Sequence, residues 1–63
     1  MIDMVRVLEG EILDLERIIA ADEAILDIEK SQAKRLFLLE EISKARYKIE
    51  RLTNRIEGLR AVD

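Results

Sequence analysis

Apolar residues recur at steps of three and four through both halves of the chain, and one polar stretch separates the halves. This is the spacing of the a and d positions of a heptad helix, which form one apolar face. Residues 29–35 include no large apolar side chain, and this is the longest such gap in the sequence. The pattern predicts an all-α fold with a first helix over about residues 3–30, a turn near 30–33 and a second helix over about 32–60.

The two apolar rows are mirror images of each other about Gln32. In an antiparallel pair of helices each a position faces a d position of the other helix, and the mirror pairs obey this rule throughout. From the outer end inward, the pairs are Val5 with Leu59, Leu8 with Ile56, Ile12 with Leu52, Leu15 with Ile49, Ile19 with Ala45, Asp22 with Ile42, Leu26 with Leu38, and Glu29 with Arg35. Antiparallel packing centred on Gln32 is therefore built into the pattern.

Two structures share this symmetry. The chain can fold back into an antiparallel helical hairpin, or one long helix can pair with a second copy as an antiparallel coiled-coil dimer. Glu29 and Arg35 are six residues apart where an unbroken heptad needs seven, which favours a turn between them. Ser31 is also a residue type that caps helices. Because the gap has no Gly or Pro, the long helix stays as the alternative.

The size of the chain predicts self-association. Residues 1–63 make one domain, two helices share only one seam, and the absence of cysteine rules out disulfide bonds. We therefore expect the hairpin to self-associate into a four-helix bundle, most simply as a dimer. Additional apolar residues near the turn predict the oligomer interface. They are Ile18, Ala21, Ile25, Ile28, Leu36, Phe37 and Leu39.

Charge is divided unequally between the halves. Residues 1–31 have nine acidic and three basic side chains, whereas residues 32–63 have five acidic and eight basic ones. Antiparallel pairing sets the acidic half beside the basic half, and flanking charges choose orientation in coiled coils. At the e positions the sequence places Glu9, Glu16 and Glu23 on the first helix and Arg46, Thr53 and Arg60 on the second.

Two aspartates of the first half have different expected roles. Asp3 precedes the first apolar residues of the helix and is expected to cap it. Asp22 interrupts the a/d row. We expect the helix to rotate its carboxylate to the rim of the apolar face.

The sequence offers little for catalysis. It has no histidine to act as a general base or metal ligand and no cysteine to act as a nucleophile. Carboxylate metal sites in helical bundles add a histidine in a Glu-x-x-His motif. We expect no enzyme activity, no cofactor and no metal site.

The chain is expected to lie in the cytoplasm. Its longest apolar runs have four residues, too few to span a membrane, and the N-terminus does not have the pattern of a signal peptide. The lack of cysteine fits a reducing compartment.

A basic stripe on the second helix favours a second possible function, nucleic-acid binding. Its residues are Lys44, Lys48, Arg51 and Arg55. Such a stripe can contact nucleic-acid phosphates. A net charge of −3 and only two aromatic residues favour a solvated surface instead.

We therefore predict a structural or protein-interaction module whose partner is a second copy of itself or another helical protein. The alternatives are a small nucleic-acid-binding regulator and a designed helical bundle without a cellular role, which the symmetry and binary pattern would suit.

Overall fold

The computed structural model describes residues 2–62, which form two antiparallel α-helices and no strand. Helix α1 spans Met4–Ile28 and has 25 residues. Helix α2 spans Gln32–Ala61 and has 30 residues. Residues 29–31 connect them, close to the predicted turn. The chain is therefore a helical hairpin rather than one continuous helix.

Each helix begins at a side-chain cap. Asp3 Oδ1 accepts hydrogen bonds from the backbone N–H groups of Val5 (3.1 Å) and Arg6 (3.4 Å), as expected from the sequence. Ser31 Oγ accepts from the backbone N–H of Lys34 at 3.4 Å. A cap of this kind typically stabilises a helix by about 1 kcal/mol because it satisfies backbone donors that have no partner within the helix.

The turn is held by Glu29 and Arg35, the innermost mirror pair. Glu29 Oε2 accepts from the backbone N–H groups of Lys30 (3.0 Å) and Ser31 (3.2 Å). Arg35 Nη1 donates to the backbone carbonyls of Leu26 (2.7 Å) and Glu29 (3.1 Å), so its guanidinium group caps the C-terminal end of α1. These contacts explain how the chain turns without glycine or proline.

The core of the hairpin is the predicted a/d seam. Leu8, Leu38 and Ile56 are buried, as are Ile19, Ile42 and Ala45, which form one cluster. The half-buried residues packed against that cluster are Leu15, Leu26 and Ile49. Every one of these residues belongs to the two mirror-related rows, so the seam is confirmed.

A single seam leaves the hairpin long and thin. Its extents are 49 × 16 × 13 Å, and its radius of gyration is 14.8 Å. A compact domain of this length would have a radius of gyration of about 11 Å. No side chain among residues 2–62 is completely buried.

We expect Arg35→Met to destabilise the hairpin by about 1–3 kcal/mol, because methionine keeps the aliphatic stem but removes a charged donor to two carbonyls. Urea unfolding at one fixed chain concentration measures the change. Lys30→Met is the matched control, since it removes a neighbouring positive charge from an exposed position. Equal stabilities of the two variants would contradict the capping role of Arg35.

Candidate interaction surface

Heptad positions sort the exposed side chains onto two sides of the a/d seam. The e positions lie on one side, and the g and c positions lie on the other. We call the first side the acid–base edge. Its charged and polar residues are Glu9, Glu16 and Glu23 of α1 and Arg46, Thr53 and Arg60 of α2.

Ion pairs cross between the helices along the acid–base edge. Arg46 Nη2 lies 3.7 Å from Glu23 Oε2, and Arg60 Nη2 lies 3.4 Å from Glu9 Oε2. The predicted pairing of acidic and basic e positions is confirmed at these two places. Because all four side chains are exposed, each pair contributes only ~0.2–1 kcal/mol and acts mainly on orientation.

The opposite side, which we call the groove side, consists of one outer row from each helix. The outer row of α1 is Met4, Val7, Glu11, Asp14, Ile18, Ala21, Ile25 and Ile28. The outer row of α2 is Lys34, Phe37, Glu41, Lys44, Lys48, Arg51, Arg55 and Gly58. Both rows have the three-four spacing of a second helical seam, and α1 supplies most of its apolar residues.

Shallow grooves run along this side. Near the turn, Ile25, Phe37 and Leu38 line a groove of about 350 Å³ together with the stem of Lys34. Farther along, Ile18 lies beside Glu41 in a second groove of about 390 Å³. The groove side is therefore apolar near the turn and charged in its middle part, and at the open end α1 again supplies apolar residues, Met4 and Val7.

The seven predicted interface residues are all exposed in the single hairpin, but the structure divides them into two groups. The groove side holds Ile18, Ala21, Ile25, Ile28 and Phe37. Leu39 occupies an e position, so it lies on the acid–base edge, and Leu36 is at a b position next to that edge. In the sequence they form one group, because all are apolar and close to the turn.

Two residues of the groove side were missed by the sequence analysis. Met4 is 45% exposed and Val7 is 44% exposed, and both continue the outer row of α1 toward the N-terminus. Met4 lies two heptads before Ile18 and Val7 lies two heptads before Ala21, and this spacing was the available signal. Glu11 and Asp14 interrupt the row and conceal its continuity.

The basic stripe is assembled as predicted. Lys44, Lys48, Arg51 and Arg55 line one groove of about 440 Å³ with Tyr47. The Arg51 guanidinium carbon lies 6.0 Å from the centroid of the Tyr47 ring. Such a surface can bind carboxylates or phosphates.

Asp22 is buried, so the expectation that it lies at the rim of the apolar face is wrong. Asp22 is only 7% exposed, and its Oδ2 atom has no hydrogen-bond partner among residues 2–62. The a/d seam holds it opposite Ile42 because neighbouring residues Ile19 and Leu26 fix the rotation of the helix. A buried carboxylate without full hydrogen bonding destabilises a fold.

Glu41 of α2 shares this environment. The pKa of the Glu41 carboxyl group is raised above its ordinary value of 4.5, first because the protonated group can donate a hydrogen bond to the Asp22 carboxylate, and then because of the negative charge of Asp22 and partial desolvation. Lys44 and Lys48 line the same groove. Lys44 Nζ is also 3.4 Å from Glu40 Oε1.

A raised pKa in the folded state means that the folded chain holds the Glu41 proton more tightly than the unfolded chain. The contribution of Glu41 to stability is therefore greatest below pH 4.5 and is lost as the pH rises through the raised folded-state pKa. We expect Glu41→Gln to become more stable relative to the wild type as the pH increases over this window. Urea unfolding over a pH series tests this expectation.

Glu40→Gln is the matched control for that series, because Glu40 is the adjacent exposed carboxylate and is paired with Lys44. It should lose stability slightly at neutral pH. If the difference in unfolding free energy between Glu41→Gln and the wild type is independent of pH, the inferred interaction between Glu41 and Asp22 is wrong.

Within residues 2–62, no group of three His, Cys, Asp or Glu side chains is arranged to hold a metal ion. In the same range, neither helix combines the length and apolar character needed to cross a membrane. Comparison with protein-family models, with curated proteins and with solved structures gave no match to this chain. Its function must be inferred from its own residues.

Proposed function

We propose that this chain is a non-enzymatic structural or interaction module that self-associates through the apolar part of its groove side. The observation that supports the proposal most directly is the surface that one hairpin leaves exposed. The accessible surface is 5233 Å². A compact monomer of 7.3 kDa exposes about 4,200 Å².

The excess, on the order of 1,000 Å², is comparable to the roughly 800 Å² that each partner buries in a standard protein interface. A second hairpin is the simplest way to cover it, since every copy presents the same surface. Covering it would also give the chain the additional core that a single seam cannot provide.

The arrangement of the exposed apolar residues also supports an interface. Ile18, Ala21 and Ile25 follow one another at helical spacing, and Phe37 lines the same groove as Ile25. Scattered apolar residues are ordinary on a protein surface, whereas a contiguous row indicates an interaction site. A cytoplasmic location is part of the proposal, because a chain without cysteine suits a reducing compartment.

Ile25 and Leu39 provide a matched test. They are 46% and 47% exposed, and they lie on opposite sides of the hairpin. We expect Ile25→Asp to convert the oligomer into monomers, because it places a charge in the apolar part of the groove side. Leu39→Asp should keep the subunit number of the wild type.

Size-exclusion chromatography with light scattering, over a range of chain concentrations, measures these outcomes. Circular dichroism verifies that both variants remain helical. Retention of the wild-type mass by Ile25→Asp, or equal dissociation of both variants, would contradict the groove side as the interface.

A second candidate function is nucleic-acid binding, favoured by the four basic side chains that line one groove with Tyr47. Phosphate contacts release counterions, so the affinity for RNA or DNA should fall steeply with salt. Fluorescence anisotropy with a labelled oligonucleotide tests this, with Lys48→Glu as the variant and Glu50→Lys as a charge control. Absence of binding at low salt would reject nucleic-acid binding as a function.

A further inference from the structure

The outer rows of α1 and α2 are mirror images about Ser31, and three of their eight mirror pairs are complementary. Ile25 corresponds to Phe37, Glu11 to Arg51, and Asp14 to Lys48. One apolar pair therefore lies near the turn and two acid–base pairs lie farther from it, whereas four of the other five pairs set an apolar residue against a charged one. All four charged residues of the two acid–base pairs are exposed in the single hairpin.

Within one hairpin the charge complementarity of the outer rows is not used. On the acid–base edge both ion pairs cross between the helices, whereas on the groove side the ion pairs among residues 2–62 stay within one helix. Asp14 Oδ1 lies 3.8 Å from Arg17 Nη1, and Lys44 Nζ lies 3.4 Å from Glu40 Oε1. Ile25 and Phe37 line one groove of the single hairpin, but no ion pair among residues 2–62 joins Glu11 to Arg51 or Asp14 to Lys48. A second copy can therefore supply the complementary charges.

From this we infer the architecture of the dimer, an inference that rests on the proposed self-association. Two hairpins dock groove side to groove side about a two-fold axis parallel to the helices, with both turns at the same end. Helix α1 of each copy packs antiparallel against α2 of the other. Such an axis keeps every residue at its own height, so each outer-row residue meets a partner outer-row residue whose distance from Gln32 differs from its own by two positions, about 3 Å along the helix.

This arrangement forms each complementary contact twice, as a two-fold interface requires. Ile25 packs against the partner's Phe37 near the turn. Glu11 pairs with the partner's Arg51, and Asp14 pairs with the partner's Lys48. Where lysines oppose apolar residues, as Lys44 opposes the partner's Ile18, the aliphatic stem can cover the apolar surface while the ammonium group remains in water.

The other two-fold arrangement places the turns at opposite ends and packs like helices together. Glu41 would then meet the partner's Arg51, which is favourable. However, Lys44 would lie against the partner's Lys48 twice, and Phe37 would lie against the partner's Arg55. Glu11 and Asp14 would face alanine and isoleucine without a basic partner, so charge complementarity selects turns at the same end.

Paired charge reversals test the arrangement. The acid-reversed variant is Glu11→Lys with Asp14→Lys, and the base-reversed variant is Lys48→Glu with Arg51→Glu. Each alone should dimerise at least about tenfold more weakly than the wild type, because all four of its interchain pairs become like-charged. Mixing the two variants should restore dimerisation, since every pair in the mixed dimer has opposite charges.

Sedimentation equilibrium measures the four dissociation constants, those of the wild type, the two variants and their mixture, and Glu50→Lys with Glu57→Lys controls for the change in net charge. Undiminished self-association of both variants, or a mixture no tighter than its components, overturns the inferred orientation while leaving the proposed self-association intact. A wild-type hairpin that stays monomeric at every concentration overturns both and leaves the groove side to a different partner.

Discussion

Two helices can share only one seam, and most features of this hairpin follow from that limit. The mirror symmetry about Gln32 brings each a position opposite a d position, and the seam is buried at Leu8, Leu38 and Ile56, whereas Leu59 at the open end is 38% exposed. Yet a single seam buries few side chains, and none of those described is buried completely. Capping contributes a larger share of the stability in such a structure than it would around a broad core. This is why Asp3, Ser31 and Arg35 matter to the fold.

The sequence predicted the seam and the turn because both depend on spacing. A six-residue step where the heptad needs seven cannot be continued without overwinding, and Glu29 with Arg35 then form the turn. The hydrogen bonds of Arg35 to two carbonyls could not be predicted, because periodicity describes which side of a helix a residue occupies and not where a long side chain reaches. The rotation of Asp22 was predicted wrongly for a related reason. Eight layers share one rigid helix pair, so a single polar residue cannot turn away while its neighbours remain in the seam.

The candidate site was predicted only in part. The apolar residues near the turn were identified from their helical spacing and their closeness to the polar gap, but their division between two sides required the heptad register to be applied to exposed as well as buried positions. Leu39 shows the difference, because its closeness to Phe37 in sequence conceals the rotation of about 200° between two residues two positions apart on a helix. Met4 and Val7 were overlooked because the acidic residues between them and Ile18 break the apolar run. In the inferred dimer those acidic residues belong to the same row as the apolar ones.

In the inferred dimer, the apolar part of the groove side would provide most of the affinity, and its charged part would provide the specificity for one orientation. Apolar contacts near the turn are non-directional and would stabilise either orientation of two hairpins, since burial depends on area alone. Charges toward the open end add little to affinity while exposed, but they penalise the arrangement that places like charges together. On the acid–base edge, charges select orientation within one chain in the same way, because ion pairs that cross between the helices favour the antiparallel hairpin. Asp22 and Glu41 lie at the level where the apolar and charged parts of the groove side meet, so protonation of Glu41 would relieve repulsion next to the docking surface as well as within the hairpin.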